Sequence, residues 1–276
     1  KLTRGRGKLQ RIVTYSTRIS SEGLRSYNTE RSQSQIMFLY DSALLAALQT
    51  PPQSIADVLQ TMRTIDATCS DGDGVKWFNW LYSRVTEAVE KRIASGGFTD
   101  GRWLAELDVQ FARLYFGALE AELSGKPMPD CWRALFDRRE QAATARIQFA
   151  LAGINAHINR DLPVAIAATC QAATTVPQHG TAQYSDYTAL NSTLDSLIEY
   201  AKHELYVRLL GDPLPAISHL EDTIAAWSVS AAREAAWQNA EVLWHLRVSP
   251  PLSAKFMDTL DGLTTVASKA LLVPAP

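Results

Sequence analysis

The stretch "AATARIQFALAGINAHINRDLP", residues 142–163, is the strongest indicator of how this 276-residue chain folds. Within residues 142–158 the only charged side chain is Arg146, and one stripe at helical spacing is wholly aliphatic: Ile147, Leu151, Ile154 and Ile158. Alanines extend the apolar surface around most of the remaining circumference. A helix that is apolar on nearly all sides is surrounded by other helices. The stretch therefore predicts a central helix.

The remainder of the chain after residue 35 also has helical periodicity, and no segment shows sustained alternation of apolar and polar residues. Short turn signals separate the periodic segments, for example "SDGDG" at 70–74 and "SGKPMPD" at 124–130. We predict an all-α fold, a single compact domain of about eight helices around the central apolar helix. One helix is expected from Cys131 to Asn159, another from Asp186, and a third over about 214–247.

The charge is unevenly distributed along the chain. Residues 1–31 carry eight Lys or Arg against two Glu, a net charge of +6, which leaves −8 for the rest because the total is −2. This composition predicts a basic, disordered arm at 1–34 and a helical domain at 35–276. An acidic domain is unlike a nucleic-acid binder, so we expect no nucleic-acid partner.

Two further properties of the sequence bear on where in the cell the protein is found. No run of eighteen apolar residues exists, so no membrane span is expected. The three cysteines, Cys69, Cys131 and Cys170, have neither metal-binding nor disulfide spacing. They are typical of reduced core residues in a cytoplasmic protein. The sequence provides no indication of oligomeric state.

The central helix ends in polar residues at every second position, namely Asn155, His157, Asn159 and Asp161. Asn155 and His157 are about 160° apart on a regular helix, so they share a cavity only if the helix unwinds. Asp161 precedes Leu162 and Pro163, which is typical of an N-cap for the following helix. Two interpretations stay open. The residues form a buried structural corner, or His157 is a general base or ligand that Asp161 orients.

A second candidate surface lies in the segment 226–244. Trp237 and Trp244 are seven residues apart on one helical face, and Arg233 lies one turn before Trp237. Arg233 at this spacing is suited to cation–π stacking on Trp237. The two tryptophans pack in the core or form a wall against a bound substrate.

Asn191, Asp195 and Glu199 have the spacing i, i+4, i+8, which places three oxygen ligands on one helical stripe. The pattern is similar to the second metal motif of class I terpene cyclases, although Asp195 replaces a hydroxyl residue and no DDxxD motif is present. We therefore predict no cofactor, with Mg²⁺ implied only under a terpene-cyclase-like alternative. Lys202 falls on the same stripe, which favours a solvated helix face.

Four segments together resemble a known family: "FNWLYSRVTEAV" (78–89), the segment 98–116 ending in "FARLYF", "GINAHINRDLP" (153–163) and "AWSVSAAREAAWQNAEVLW" (226–244). They are similar to a bacterial all-helical family, domain-of-unknown-function family 5995. The resemblance covers about 55–273 and implies an all-α domain that excludes the first fifty residues. It implies no assigned activity.

Three functions are consistent with these patterns. The first is an enzyme or binder of a small apolar or amphipathic molecule, with its site at Asn155, His157, Asn159 and Asp161. The second is a non-catalytic helical scaffold in which the same residues form a buried polar network. The third is the Mg²⁺-dependent alternative. A cavity that touches His157 would favour the first.

Overall fold

A computed structural model describes residues 38–209 and 228–273. Within it, the side chains of residues 198, 201–203 and 205–209 are not described, so Lys202 lies outside the described side chains. The predicted basic arm at 1–34 also lies outside the described residues. The same is true of residues 214–227 of the helix predicted over about 214–247. The chain divides into two compact units, 1–41 and 42–276.

The all-α class is confirmed, because the described ranges contain helices and turns and no strand. The helices are α1 (Asp41–Leu48), α2 (Ile55–Thr68), α3 (Gly74–Ala94), α4 (Gly101–Leu123), α5 (Asp130–Phe136), α6 (Arg146–Ala156), a π-helical turn (His157–Asp161), α7 (Leu162–Ala172), α8 (Ala182–Ala189), α9 (Asn191–Leu209), α10 (Val229–Leu246) and α11 (Pro250–Leu271). None of the described helices is long and apolar enough to cross a membrane.

Helix α6 is the central helix that the sequence predicts. Every residue from Ile147 to Ala156 is buried, and α6 packs against α3, α5, α9 and α11. Gly153 lies against the ring of Phe78, where an added Cβ would be only 2.4 Å from ring carbons. Only glycine allows this approach of α3 to α6.

The predicted continuous helix from Cys131 to Asn159 is wrong, because α5 ends at Phe136 and α6 begins at Arg146. Between them, Arg139 forms a buried two-bond ion pair with Asp73, the N-cap of α3. The carbonyl of Arg139 also accepts a hydrogen bond from the Gly74 amide at 2.7 Å. Residues 137–145 leave the helical path to make these contacts, and the partner is too distant in sequence for periodicity to indicate it.

The predicted helix start at Asp186 is also wrong. Helix α8 begins after Thr181, whose side chain caps it, and Asp186 lies in its middle. The Asp186 carboxylate instead accepts hydrogen bonds from the amides of Thr99 (2.9 Å) and Asp100 (2.6 Å). Asp186 thus stabilises the start of α4, a tertiary role for an acidic residue at a helix N-terminus.

Candidate functional site

A cavity of about 60 Å³ lies at the C-terminal end of α6. Side chains from α3, α4, α6, the π-helical turn, α9 and α10 line it, and most of them are aliphatic or aromatic: Phe78, Leu81, Tyr82, Val85, Phe111, Ile154, His157, Ile158, Leu194, Val229 and Arg233. Among the described residues of this wall, His157 and Arg233 are the two with basic side chains. An apolar pocket with a few convergent polar groups is the usual form of a small-molecule site.

The π-helical turn connects α6 to α7 without a break. The Leu162 amide donates to the carbonyl of His157, five residues earlier, and α7 follows directly. Asp161 has helical φ and ψ and makes no side-chain cap for α7, so the predicted N-cap role is wrong. Single π-helical turns inside α-helices occur often at functional sites.

Because the backbone stays helical, the four predicted site residues separate into two pairs. Asn155 and Asn159 are bonded to each other, as are His157 and Asp161, each pair four residues apart. The two pairs contact different elements. The pair of His157 and Asp161 therefore lies next to the cavity, whereas the pair of Asn155 and Asn159 is directed to α11.

His157 is held by contacts on several sides and is 2% exposed. Its Nδ1 lies 3.2 Å from Asp161 Oδ2. The ring of Phe111 stacks on the imidazole with centroids 3.4 Å apart, and the ring of Tyr82 meets it edge-on at 4.5 Å. The orientation of the imidazole is therefore fixed by α3, α4 and the π-helical turn together.

Asp161 determines which nitrogen of His157 carries the proton. The buried carboxylate accepts hydrogen bonds from Trp132 Nε1 (2.8 Å, on Oδ2) and from Arg160 Nη1 (2.8 Å, on Oδ1). A carboxylate that serves two donors in this way is ionised and accepts a third from Nδ1 of His157. The neutral imidazole then has its lone pair on Nε2. This buried Nε2 has no hydrogen-bond partner among the described residues.

Burial also keeps His157 neutral. Loss of solvent lowers the pKa of His157 below its usual 6.5, and the hydrogen bond to Asp161 opposes this only in part. The imidazole is therefore an unprotonated base at about pH 7. A neutral, oriented histidine with a free Nε2 next to a cavity can accept a proton from a bound molecule.

Asn155 and Asn159 form hydrogen bonds that hold elements of the fold together. The Asn155 amide nitrogen donates to the Thr264 carbonyl (3.0 Å) and to Ser268 Oγ (2.9 Å), both on α11. Its oxygen accepts from Asn159 Nδ2 at 2.8 Å. Neither asparagine lines the cavity. Their bonds join α6 and the π-helical turn to α11.

Arg233 reaches the cavity from α10 and is 6% exposed. Its guanidinium lies over the ring of Tyr187, 3.9 Å from the centroid, rather than over Trp237. Its Nε donates to Asn191 Oδ1 and its Nη2 to the Tyr187 carbonyl, each at 2.8 Å. The structure thus brings Arg233 and His157 to one cavity, which their separation in sequence does not indicate.

The two tryptophans do not line this cavity. Trp237 is fully buried against Trp103, Tyr184 and Tyr187, and its Nε1 donates to Glu241. Trp244 is half-buried at the end of α10, where Arg247 lies over its ring. Packing therefore accounts for Trp237, and the predicted substrate wall does not form around this cavity.

The oxygens proposed for Mg²⁺ have protein partners or face solvent. Asn191 Oδ1 accepts from Arg233, and Asp195 Oδ2 accepts from Ser230 Oγ at 2.8 Å. Asp195 and Glu199 are exposed, and none of the three lines the cavity. In the described parts of the chain, no group of three or more His, Cys, Asp or Glu is placed to hold a metal ion.

The sequence patterns did not single out Tyr82, Trp132 or Asp108. Tyr82 and Thr86 have buried hydroxyls, and neither makes a hydrogen bond of normal geometry within the described residues. Burial, helped by the Asp108 and Asp161 carboxylates, raises the pKa of Tyr82. Burial also raises the pKa of Asp108 to about 7, with a contribution from Glu90. Asp108 could have been found from the sequence, because it places a carboxylate on the apolar face of an amphipathic helix.

The fold and the site define an all-helical protein with a small, mainly apolar cavity next to a neutral histidine. A family model described as "Family of unknown function (DUF5995)" matches residues 55–274. Because this match covers most of the chain, the protein belongs to that family, and the family assignment made from the sequence is confirmed. No curated protein and no solved structure shows a significant match to the chain.

Proposed function

We propose that the protein is an enzyme acting on a small amphipathic molecule bound in the cavity, with His157 as general base. Asp161 is the positioning residue, since it bonds to Nδ1 and leaves Nε2 as the basic atom. One observation carries the proposal. The unpartnered Nε2 belongs to a buried histidine in the cavity wall, whereas the polar groups of Asn155 are all used by other residues. Buried polar atoms without partners are uncommon in folded proteins.

The chemistry follows from the tautomer. Nε2 accepts a proton from the bound molecule, or from a water that attacks it, and the ring becomes an imidazolium. The ionised Asp161 stabilises that cation through Nδ1, and Trp132 holds the carboxylate in place. The proton then leaves from Nε2 to the product. Tyr82, whose hydroxyl stays protonated because burial raises its pKa, lies in the same wall.

The second candidate function is a non-catalytic helical scaffold, and the Asn155 network favours it. Asn155 of α6 bonds to Asn159 of the π-helical turn and to Thr264 and Ser268 of α11. Such a set of hydrogen bonds contributes to the stability of the fold without any ligand. It leaves the free Nε2 of His157 unexplained, and for this reason we rank it second.

The protonation of His157 provides the first test. Long-range ¹H–¹⁵N NMR of the imidazole, assigned with His157→Gln, should show a neutral ring with hydrogen on Nδ1 at about pH 7. The Gln variant keeps a polar side chain of similar reach, so its fold can be checked by the same spectra. A ring that is protonated on both nitrogens, or on Nε2 alone, would contradict the general-base role.

The cavity provides the second test. Small amphipathic compounds are screened by ligand-observed NMR against the parent and against Val85→Phe, which adds a ring at the half-buried rim of the cavity. Val164→Phe is the matched control, because Val164 is also half-buried but does not line the cavity. We expect binding to survive in the control and to be lost in Val85→Phe. Equal binding by both variants would place the ligand elsewhere.

Turnover separates an enzyme from a binding protein. Compounds that bind in the cavity are incubated with the protein in D₂O and followed by NMR for conversion or for exchange of C–H hydrogen. We expect His157→Gln to slow either process by about a hundredfold, the range of one general acid–base group. Binding with no conversion of any compound would overturn the enzymatic part of the proposal.

The three cysteines support a cytoplasmic location as part of this proposal. Cys69, Cys131 and Cys170 are free and buried. Burial raises the pKa of each thiol, which keeps it protonated and unreactive. Reduced core cysteines are typical of proteins in a reducing compartment.

A further inference from the structure

We propose that Arg233 binds the carboxylate of a small monocarboxylic acid, so that the molecule in the cavity is an acid with a short apolar body. This inference rests on the proposed function, because it assigns the chemical class of the molecule on which His157 acts. It comes from a different set of contacts, which α10 makes with the α8–α9 corner, residues 187–191.

The guanidinium of Arg233 is fixed in position but incompletely bonded. Nε and Nη2 donate to Asn191 and to the Tyr187 carbonyl, and the plane lies over the Tyr187 ring. No described residue accepts a hydrogen bond from Nη1. A guanidinium held by two fixed acceptors and one ring has lost its rotational freedom before a ligand binds. Such pre-organisation lowers the entropic cost of binding an anion.

The charge of Arg233 is not neutralised by an ion pair in the described part of the chain. Burial lowers the pKa of Arg233, and Tyr187 and Asp195 oppose this only in part. Asp195 is exposed and its Oδ2 accepts from Ser230. Both direct acceptors of Arg233 are neutral carbonyl oxygens. Buried charges in proteins are normally paired. A buried cation with only neutral acceptors in a cavity wall is therefore suited to an anionic ligand.

The other side chains that line the cavity determine which non-charged part of a ligand can fit. Apart from Arg233 and His157, the described residues that line the cavity have aliphatic and aromatic side chains, among them Leu194, Val229 and Phe111. A volume of about 60 Å³ corresponds to roughly four to six water-sized positions. An acid with a chain of a few carbon atoms matches both the size and the apolar lining.

A carboxylate fits better than a phosphate. Arg233 is the only cationic side chain among the described residues that line the cavity, and the other basic residue, His157, is neutral. One guanidinium balances one negative charge, whereas a phosphate monoester carries nearly two at about pH 7. An acid held by Arg233 lies in the cavity that His157 also lines, so the proton that His157 accepts belongs to that acid or to water beside it.

The test compares charged and neutral molecules of one shape. Butanoate, butanamide and monobutyl phosphate, and the corresponding six-carbon compounds, are titrated against the full-length protein by ligand-observed NMR. We expect the carboxylate to bind more tightly than its amide by about tenfold or more, since the amide cannot form a charge-assisted bond. This comparison needs no variant, and its result does not depend on the folding of a mutant.

Variants then locate the effect. Arg233→Gln should reduce carboxylate affinity to that of the amide, and Arg233→Lys should restore part of the difference. Arg92→Gln is the matched control, because Arg92 also bonds to the α8–α9 corner, through the Ala189 carbonyl, yet does not line the cavity. His157→Gln should keep the preference for carboxylate over amide while losing turnover.

The outcomes distinguish this inference from the proposed function. Equal affinity for butanoate and butanamide in the parent would overturn the carboxylate assignment and leave the cavity and His157 as proposed. Tighter binding of monobutyl phosphate would replace the carboxylate by a phosphate. Absence of binding by every compound in both series would overturn the small-molecule site itself, and with it both proposals.

Discussion

The ring of Phe111 lies parallel to the imidazole of His157, with centroids 3.4 Å apart and an angle of 6° between the planes. Phe111 covers one face of the imidazole, and Asp161 holds Nδ1 from the side. These two contacts prevent the ring from turning, so the direction of Nε2 is set by residues of α4 and the π-helical turn. Any change at Phe111 should therefore alter both stability and the state of His157.

We expect Phe111→Ala to lower the free energy of unfolding by about 2–3 kcal/mol, less than a fully buried phenylalanine because Phe111 is half-buried. The imidazole should also lose its single orientation. Urea denaturation measures the first effect and the ¹⁵N chemical shifts of His157 measure the second. Phe116→Ala, a buried phenylalanine of the same helix that does not line the cavity, should destabilise without changing the His157 shifts.

Asp161→Asn keeps the shape of the side chain but removes its charge. We expect a loss of about 2–4 kcal/mol, because Arg160 and Trp132 lose a charged acceptor in a buried site. The His157 tautomer should shift towards hydrogen on Nε2, since an amide donates to Nδ1. Denaturation and the same NMR experiment test both effects. A variant as stable as the parent with an unchanged tautomer would show that Asp161 does not position His157.

His157 should make the protein less stable in mild acid. Its pKa is lowered in the folded state by burial, so the unfolded chain takes up a proton below its ordinary value of 6.5 while the folded state does not. Stability is therefore fully present above that value and decreases as the pH falls through it. Unfolding in urea at about pH 8 and about pH 5.5 should show this loss in the parent, and His157→Gln should reduce it.

His179 should have the opposite pH dependence. It lies in the α7–α8 loop, and its two ring nitrogens contact Glu234 (2.8 Å) and Glu241 (2.7 Å) of α10. The hydrogen bond to Glu234, with a smaller contribution from Glu241, raises the pKa of His179. Its stabilising effect is present below the unfolded value of 6.5 and is lost as the pH rises through the raised pKa.

The effect of His179 should be small, under about 1 kcal/mol, because the side chain is partly exposed. The pKa of Glu234 is lowered in turn by His179, so its own contribution decreases as the pH falls through that lowered value. Thermal melting of His179→Gln relative to the parent should therefore show the greatest difference in mild acid. A greater difference in alkali would contradict a raised pKa for His179.

Magnesium should have no effect on the native state. Asn191 already accepts from Arg233, and Asp195 accepts from Ser230 on the protein surface. We expect Asp195→Ala to change the free energy of unfolding by less than about 0.5 kcal/mol, as exposed substitutions usually do. A melting temperature that rises by several degrees with millimolar Mg²⁺, and no longer rises in Asp195→Ala, would support a metal site instead.

The helical class and the central position of α6 could both be predicted from the sequence. These are consequences of local composition and periodicity: a stretch with one charge in 142–158 has no stable position except among other helices. The burial of His157 follows from the same pattern, since the residue continues a helix that is apolar on all sides.

The roles of the polar residues, in contrast, depend on tertiary packing. Asp161 has the sequence context of a helix cap, but its buried carboxylate accepts a hydrogen bond from Trp132 of α5, which is 29 residues away in sequence. Arg233 has the spacing to stack on Trp237, yet it lies over Tyr187 and reaches the cavity of His157. Periodicity assigns a residue to a face of its own helix. Which partner meets that face depends on how distant helices pack, and hydrogen bonds and ion pairs act only over the few ångströms that packing establishes.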